Sequence, residues 1–102
     1  MIARVIVDIR NGDVDKIFDY IVPDGMDLHA GDRVLVPFGK RDTEGYCIAI
    51  SDDSQVAASR LKPVKTRLDP FTCVNPDMLA LMDFMRRKFY LRYADCLRLF
   101  VP

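Results

Sequence analysis

The chain changes character once, and that change decides what it can fold into. Up to about Leu68, Gly, Pro, Asn and Asp cut the sequence into short apolar runs; after Asn75 the apolar residues recur at helical spacing. Residues 3–9 (ARVIVDI) alternate well enough for a half-buried strand, and NGD at 11–13 signals a turn. Residues 16–22 (KIFDYIV) read as a second strand, ended by PDG, where Pro presets φ and Gly accepts a positive one. Residues 31–39 (GDRVLVPFG) read as a third, with Val34 and Val36 on one face and Arg33 and Leu35 on the other. Pro37 cannot donate to a ladder, which places that end at an edge. The charged stretch 40–45 (KRDTEG) reads as a loop, 46–51 (YCIAIS) as a fourth strand, 52–60 as a long polar connection, and 61–68 (LKPVKTRL) as a fifth strand whose pairing Pro63 limits. Gly25, Gly31 and Gly45 read as turn residues.

Residues 75–90 (NPDMLALMDFMRRKFY) carry the signature of a helix. Asn75 suits the N-cap, Pro76 the first turn and Asp77 the positive end of the dipole, while Arg86, Arg87 and Lys88 suit the negative end. Met78, Leu81, Met82, Met85 and Phe89 form one apolar stripe, expected to be core. Residues 93–102 (YADCLRLFVP) fit a short helix or a strand, and their apolar end looks like a cut at a domain boundary. The fold class expected is mostly β (α+β): a small curled sheet or β-barrel of about five strands, followed by a C-terminal helical segment. Its 102 residues suit a single domain, β-rich over 1–70 and helical over 75–102.

Half of the residues are hydrophobic, which supports a packed globule. Fifteen basic residues balance fifteen acidic ones, so bulk charge does not draw nucleic acid and any such binding needs a local site. Cys47, Cys73 and Cys96 are odd in number, lack CxxC spacing and sit in apolar runs, as buried free thiols of a reducing compartment do. His29 lies in a polar loop and faces water; one His and three scattered Cys make no zinc site. GKR at 39–41 lacks the earlier glycine of a phosphate-cradling loop, because Val34 stands there, and Arg41 replaces its Ser or Thr. G-x-S-x-G is missing, and Asp52 with Asp53 reads as a solvated pair. No catalytic constellation emerges, so the chain reads as a non-enzyme. Residues 1–10 lack the pattern of a signal peptide and no segment is long enough to cross a bilayer, so the expected compartment is the cytoplasm.

The run KIFDYIV sets one carboxylate, Asp19, between two rings. Successive strand side chains point to opposite faces, so Phe18 and Tyr20 share one face and Asp19 takes the other. At least one ring then belongs to the core: Phe18 is the first choice, and Tyr20 stays open between core and stacking platform. On its own, Asp19 reads as an exposed acid on the polar face of an amphipathic strand. Four pieces together, FDYIVPDGM (18–26), GDRVLVPFGKR (31–41), GYCIAIS (45–51) and LKPVKTRLD (61–69), resemble in order and spacing the N-terminal DNA-binding domain of primosomal protein N′, the PriA family of replication-restart helicases. Residues 89–102 (FYLRYADCLRLFVP) are similar to that family's helix and its approach to the next domain, so the resemblance covers nearly all of the chain.

The resemblance implies a module that captures the free 3′-hydroxyl end of a nascent DNA strand at a stalled fork, within a larger helicase. It implies a pocket for the terminal nucleotide at Phe18, Asp19 and Tyr20, with Gly39 and Lys62 against it; Lys40 and Arg41 are candidates for further phosphate contacts. The chemistry suits the task. A carboxylate only accepts hydrogen bonds, so Asp19 fits a 3′-hydroxyl donor and repels a 3′-phosphate. An aromatic wall takes any base, a glycine lets backbone approach closely, and a lysine neutralises a phosphate. No cofactor is implied for this chain; ATP with Mg²⁺, and zinc, belong to the rest of the parent protein. The implied partners are single-stranded or forked DNA with a free 3′-hydroxyl and, through the parent, primosome and single-strand-binding proteins, with no membrane. The chain departs from family text at NGDVDK (11–16), where proline-rich sequence is common and where Asp13 and Asp15 add negative charge near the pocket. It also has no Trp; Phe89 and Tyr90 stand where the family helix often carries a Trp or paired Tyr. Two other classes fit the residues alone. One is a docking β-barrel without nucleic-acid binding, using edges near Pro37 and Pro63 for strand addition. The other is an enzyme whose site would pair Asp19, His29 or a cysteine with another titratable group.

Overall fold

A computed structural model describes residues 1–7, 16–52, 60–70 and 72–100. Five antiparallel strands run β1 (Ile2–Val7), β2 (Lys16–Ile21), β3 (Arg33–Phe38), β4 (Arg41–Ser51) and β5 (Thr66–Arg67), followed by α1 (Pro76–Phe89) and α2 (Tyr93–Phe100). The strands form one sheet in the order β2-β1-β4-β3-β5. The expected turn at 11–13, the acids Asp13, Asp15 and Asp53, and the final Val101 and Pro102 lie outside the described residues.

The sheet is open and curled, not closed into a barrel, and each of its faces builds a core. Ala3, Val5, Val7, Tyr20, Val34, Val36, Cys47 and Val64 are buried together inside the curl. Ile6, Val74, Met82, Ala94, Cys96 and Leu97 are buried together on the opposite face, beneath the helices. Each fully buried aliphatic chain among them contributes about 1.5–3 kcal/mol. Val5 and Val7 belong to the first group and Ile6 to the second, so β1 is covered on both sides, as a central strand is.

Two expectations for the strands are corrected. Residues 41–45 are not a loop: β4 begins at Arg41, pairs Arg41 with Phe38 across the two-residue turn Gly39–Lys40, and holds Gly45 within the strand, opposite Val7 and Val34. Gly39 has φ +65°, the glycine-first arrangement of a tight hairpin, so the turn needs only two residues and the charged run becomes strand. The fifth strand is shorter than 61–68: only Thr66–Arg67 ladders to β3, and Pro63 makes a single bridge to Ile21, because proline has no N–H to donate.

The first helix starts and ends on its signals. The Asn75 side chain accepts from the Met78 N–H, a cap worth about 1 kcal/mol. Tyr90 closes the helix in the left-handed conformation, φ 55°, its N–H donating to the Arg86 carbonyl. The apolar stripe is core only in part: Met82 is buried and Met78 and Met85 pack beside it, whereas Leu81 and Phe89 are exposed. The short α2 covers one flank of α1, and a flank of this width is all it can bury. Residues 93–100 thus resolve as helix rather than strand.

Candidate nucleic-acid interface

The curl brings β2, one edge of the sheet, close to β3 near the other edge, and the connector 61–68 is fastened to both. Ile21 of β2 donates to the Lys62 carbonyl at 2.9 Å and accepts from Val64 at 2.9 Å. Lys65 and Leu68 donate at 2.8 Å to the carbonyls of Leu35 and Arg33 of β3. The connector therefore closes the seam between the strands at one end. Farther along, the next outward carbonyl of β3, that of Pro37, accepts instead from the Tyr20 hydroxyl at 2.9 Å. Beyond that bond the rings of Phe18 and Phe38 meet, with centroids 5.3 Å apart and planes at 55°. The upper seam is thus held by side chains where the lower is held by backbone.

Most of the expected site residues gather along this seam. Lys62 lies at its closed end, solvent-exposed, beside Ile21. Phe18 and Phe38 lie at the other end, next to the turn of Gly39 and Lys40. A side chain added at Gly39 would find no atom within 4 Å, so this turn presents bare backbone to solvent. Lys40 on the same turn and Arg41 at the start of β4 are exposed. The structure reverses the expectation for Phe18 and settles the open one for Tyr20. Phe18, first choice for the core, is 45% exposed and is the available π-face. Tyr20 is buried, its hydroxyl is bonded, and burial pushes its ionisation up, so it fixes the seam and offers no stacking surface.

Asp19 occupies the opposite face of β2, as alternation demands. It is not a solvated surface acid: its side chain is 11% exposed and its Oδ1 lies 3.5 Å from Nε of Arg4, its register partner on β1. Ile21 turns its backbone groups outward, so by alternation Asp19 does too, about 7 Å along the strand. Because β2 is an edge, a ligand lying along it can reach Phe18 on one face and Asp19 on the other. Arg4 was missed by the sequence reading. The signal was present, since a β1–β2 hairpin that sets Ala3 opposite Tyr20 and Val5 opposite Phe18 puts Arg4 opposite Asp19 on the other face, but it needs the register to be read.

The other chemistry-bearing residues stand apart from the seam. Asp32 is fully buried, accepting from the His29 N–H at 2.7 Å, with Arg67 Nε 3.2 Å away. Arg33 grips Asp69 through Nε at 2.8 Å and Nη2 at 3.1 Å, and the Cys73 thiol donates to the same carboxylate at 3.1 Å. The Arg33 bond, then the Cys73 bond, hold Asp69 down to about 2. Burial pushes Cys47 up to about 12 and raises Cys73, so neither thiol is a ready nucleophile. Cys47 and Cys96 are buried free thiols, and Cys73 is half-buried. The His29 imidazole is exposed beside the more exposed Asp27. No described helix is long and apolar enough to cross a membrane, and no described cluster of His, Cys, Asp or Glu has the grouping of a metal site.

The model of a family described as 3′DNA-binding domain (3′BD) matches residues 4–102. Replication restart protein PriA of Bacillus subtilis is 34% identical over 89 residues, covering 84% of this chain and 11% of the relative. That of Haemophilus influenzae is 39% identical over 54 residues, covering 53% of this chain and 7% of the relative. That of Rickettsia conorii is 24% identical over 91 residues, covering 87% and 14%. The chain therefore spans only a small part of the length of the relatives it matches.

Proposed function

The chain belongs to the 3′DNA-binding domain family, and on that premise we propose that it captures the 3′-hydroxyl terminus of a nascent strand at a stalled replication fork, as one part of a replication-restart helicase. The relatives are named as replication restart proteins and the chain matches a small part of each; in this reading unwinding, ATP with Mg²⁺ and any zinc are assigned to other segments of such a parent. Primosome and single-strand-binding proteins would meet the parent, in the cytoplasm.

The observation that carries the reading is the side-chain-held upper seam, with an exposed ring, a covered carboxylate, a bare glycine turn and a lysine along one strand edge. In the proposed mode the terminal base lies on Phe18, which accepts any base because every base has a π-face. Asp19 accepts the proton of the 3′-hydroxyl and turns away a phosphate. Tyr20 keeps Pro37 and hence Gly39 in place, so that backbone can approach at the turn. Lys62 meets a phosphate at the closed end, and Lys40 and Arg41 extend the track. Neutral net charge assigns binding to this local set and not to bulk attraction. The docking-module alternative, which predicts no DNA binding, is disfavoured by the family match.

Fluorescence anisotropy with paired oligonucleotides, identical except for a 3′-hydroxyl or a 3′-phosphate, tests the reading. The hydroxyl end should bind at least about tenfold more tightly, a difference of about 1.4 kcal/mol. Asp19→Asn should bring the two affinities together. Equal binding of both ends by the unaltered chain removes end capture; retained selectivity in Asp19→Asn removes Asp19 from the role.

A further inference from the structure

We propose that Arg4 is a specificity-setting member of the 3′-end site: its guanidinium offsets the charge of Asp19 so that the DNA backbone can approach the β2 edge. This rests on the reading of that edge as the seat of the terminal nucleotide. Arg4 and Asp19 are direct partners in the β1–β2 ladder and so project from the same face. Their contact is long, Nε to Oδ1 at 3.5 Å, and their exposures are opposite, 54% for the Arg4 side chain and 11% for that of Asp19. The acid is covered while the basic fork faces outward. A planar guanidinium on a side chain half in water offers donors in the geometry that matches a phosphate.

The charge on Asp19 does two opposed things. It repels a 3′-phosphate, which is selectivity, and it repels the phosphodiester one nucleotide upstream, which every DNA strand carries and which weakens binding of the correct end. A cation fixed beside the acid removes the second effect and part of the first. Arg4 therefore trades end selectivity for affinity. Lys62 does not duplicate it, because Lys62 lies on the connector beyond Ile21 and is not paired across from Asp19 in the ladder.

The paired oligonucleotides decide the matter with Arg4→Gln, Arg4→Lys, Asp19→Asn and the Arg4→Gln/Asp19→Asn double variant, each melted to confirm folding. Arg4→Gln should bind the 3′-hydroxyl end about tenfold more weakly and the 3′-phosphate end more weakly still, so that the ratio between them widens. Its salt dependence should shallow by about 0.7 in the log–log slope, the loss of one phosphate contact on a single strand. Arg4→Lys should restore the slope. In the double variant the ratio should equal that of Asp19→Asn alone, since no charge is left to offset. If Arg4→Gln lowers both ends equally, or neither, while the unaltered chain and Asp19→Asn behave as expected, the Arg4 proposal alone is overturned. If the unaltered chain shows no preference, or Asp19→Asn keeps it, end capture itself falls and Arg4 with it.

Discussion

The β2 edge and the place where β3 meets the connector both set arginine against aspartate, and they do so differently. Where residues 31–33 meet 67–74, Arg33 holds Asp69 with two short bonds and Arg67 faces an Asp32 that no solvent reaches. At the β2 edge, Arg4 Nε stands 3.5 Å from Asp19 Oδ1, with half of the arginine in water. A short bidentate pair fixes the chain; a long contact with an exposed fork can change partners at little cost. The junction thus fastens β3 and the connector beneath the helices, and the seam stays adaptable. Substitutions at the junction should cost stability and spare end selectivity, while those at the seam should do the reverse.

The largest test is Gly31→Ala. Gly31 has φ +98°, its N–H donates to the Cys47 carbonyl at 2.6 Å, and its own carbonyl accepts from Val74 at 3.1 Å. A Cβ there would fall 1.7 Å from the Val74 carbonyl oxygen, an overlap that only backbone displacement relieves. Conformational strain and lost bonds together should exceed about 4 kcal/mol. Chemical denaturation should find the variant largely unfolded at 37 °C. A melting temperature within a few degrees of the unaltered chain would show that the junction is as pliable as the seam, and the comparison would break.

Asp32→Ala comes next. The substitution orphans the His29 N–H and leaves the Arg67 guanidinium, 23% exposed, without its carboxylate. Partial exposure of Arg67 discounts the full cost of an unpaired buried charge, leaving about 2–3 kcal/mol. That corresponds to a melting temperature lower by about 10–20 °C for a chain of this size. Preference for the 3′-hydroxyl end, measured below the melt, should be unchanged. A variant that keeps its stability but loses the preference would place Asp32 in the site and merge the two regions.

What could be read from the sequence, and what could not, follows the same division. Local signals survived: PDG ends the second strand, Asn75 and Pro76 open the helix, and Phe18-Asp19-Tyr20 alternates across β2. Pro63 limited its strand as expected. The failures are tertiary. Residues 41–44 look like a loop because they are polar, yet the Gly39 turn lets them pair with β3, whose hydrogen bonds do not require apolar side chains. Phe18 was misplaced and Tyr20 left open because alternation says that they share a face and not which of them sits at its rim. Arg33–Asp69 and Arg67–Asp32 join residues some 35 apart in sequence, and no local pattern announces them. The family resemblance gave the seam residues, whereas Arg4 needed the register.

The smallest and sharpest test is acid. Asp69 is held down to about 2 from an ordinary 3.8, first by the Arg33 bond and then by the Cys73 thiol. Between those values the unfolded chain binds a proton that the folded one does not. The contribution of Asp69 is therefore fully present above about pH 4, shrinks as pH falls, and is gone once pH has passed through about 2. Asp95, lowered by Arg92, adds a loss of the same sign, so the comparison must be made against a variant and not against neutral pH alone. Asp69→Asn should melt a few degrees below the unaltered chain at pH 7, with the gap closing as pH falls from 4 toward 2, because the unaltered carboxyl is then losing what the variant never had. Its 3′-end preference at pH 7 should match that of the unaltered chain. A gap constant across that range would mean that the Arg33 fork stabilises through shape and not charge, and the contrast between the gripped pair and the loose one would then be geometric alone.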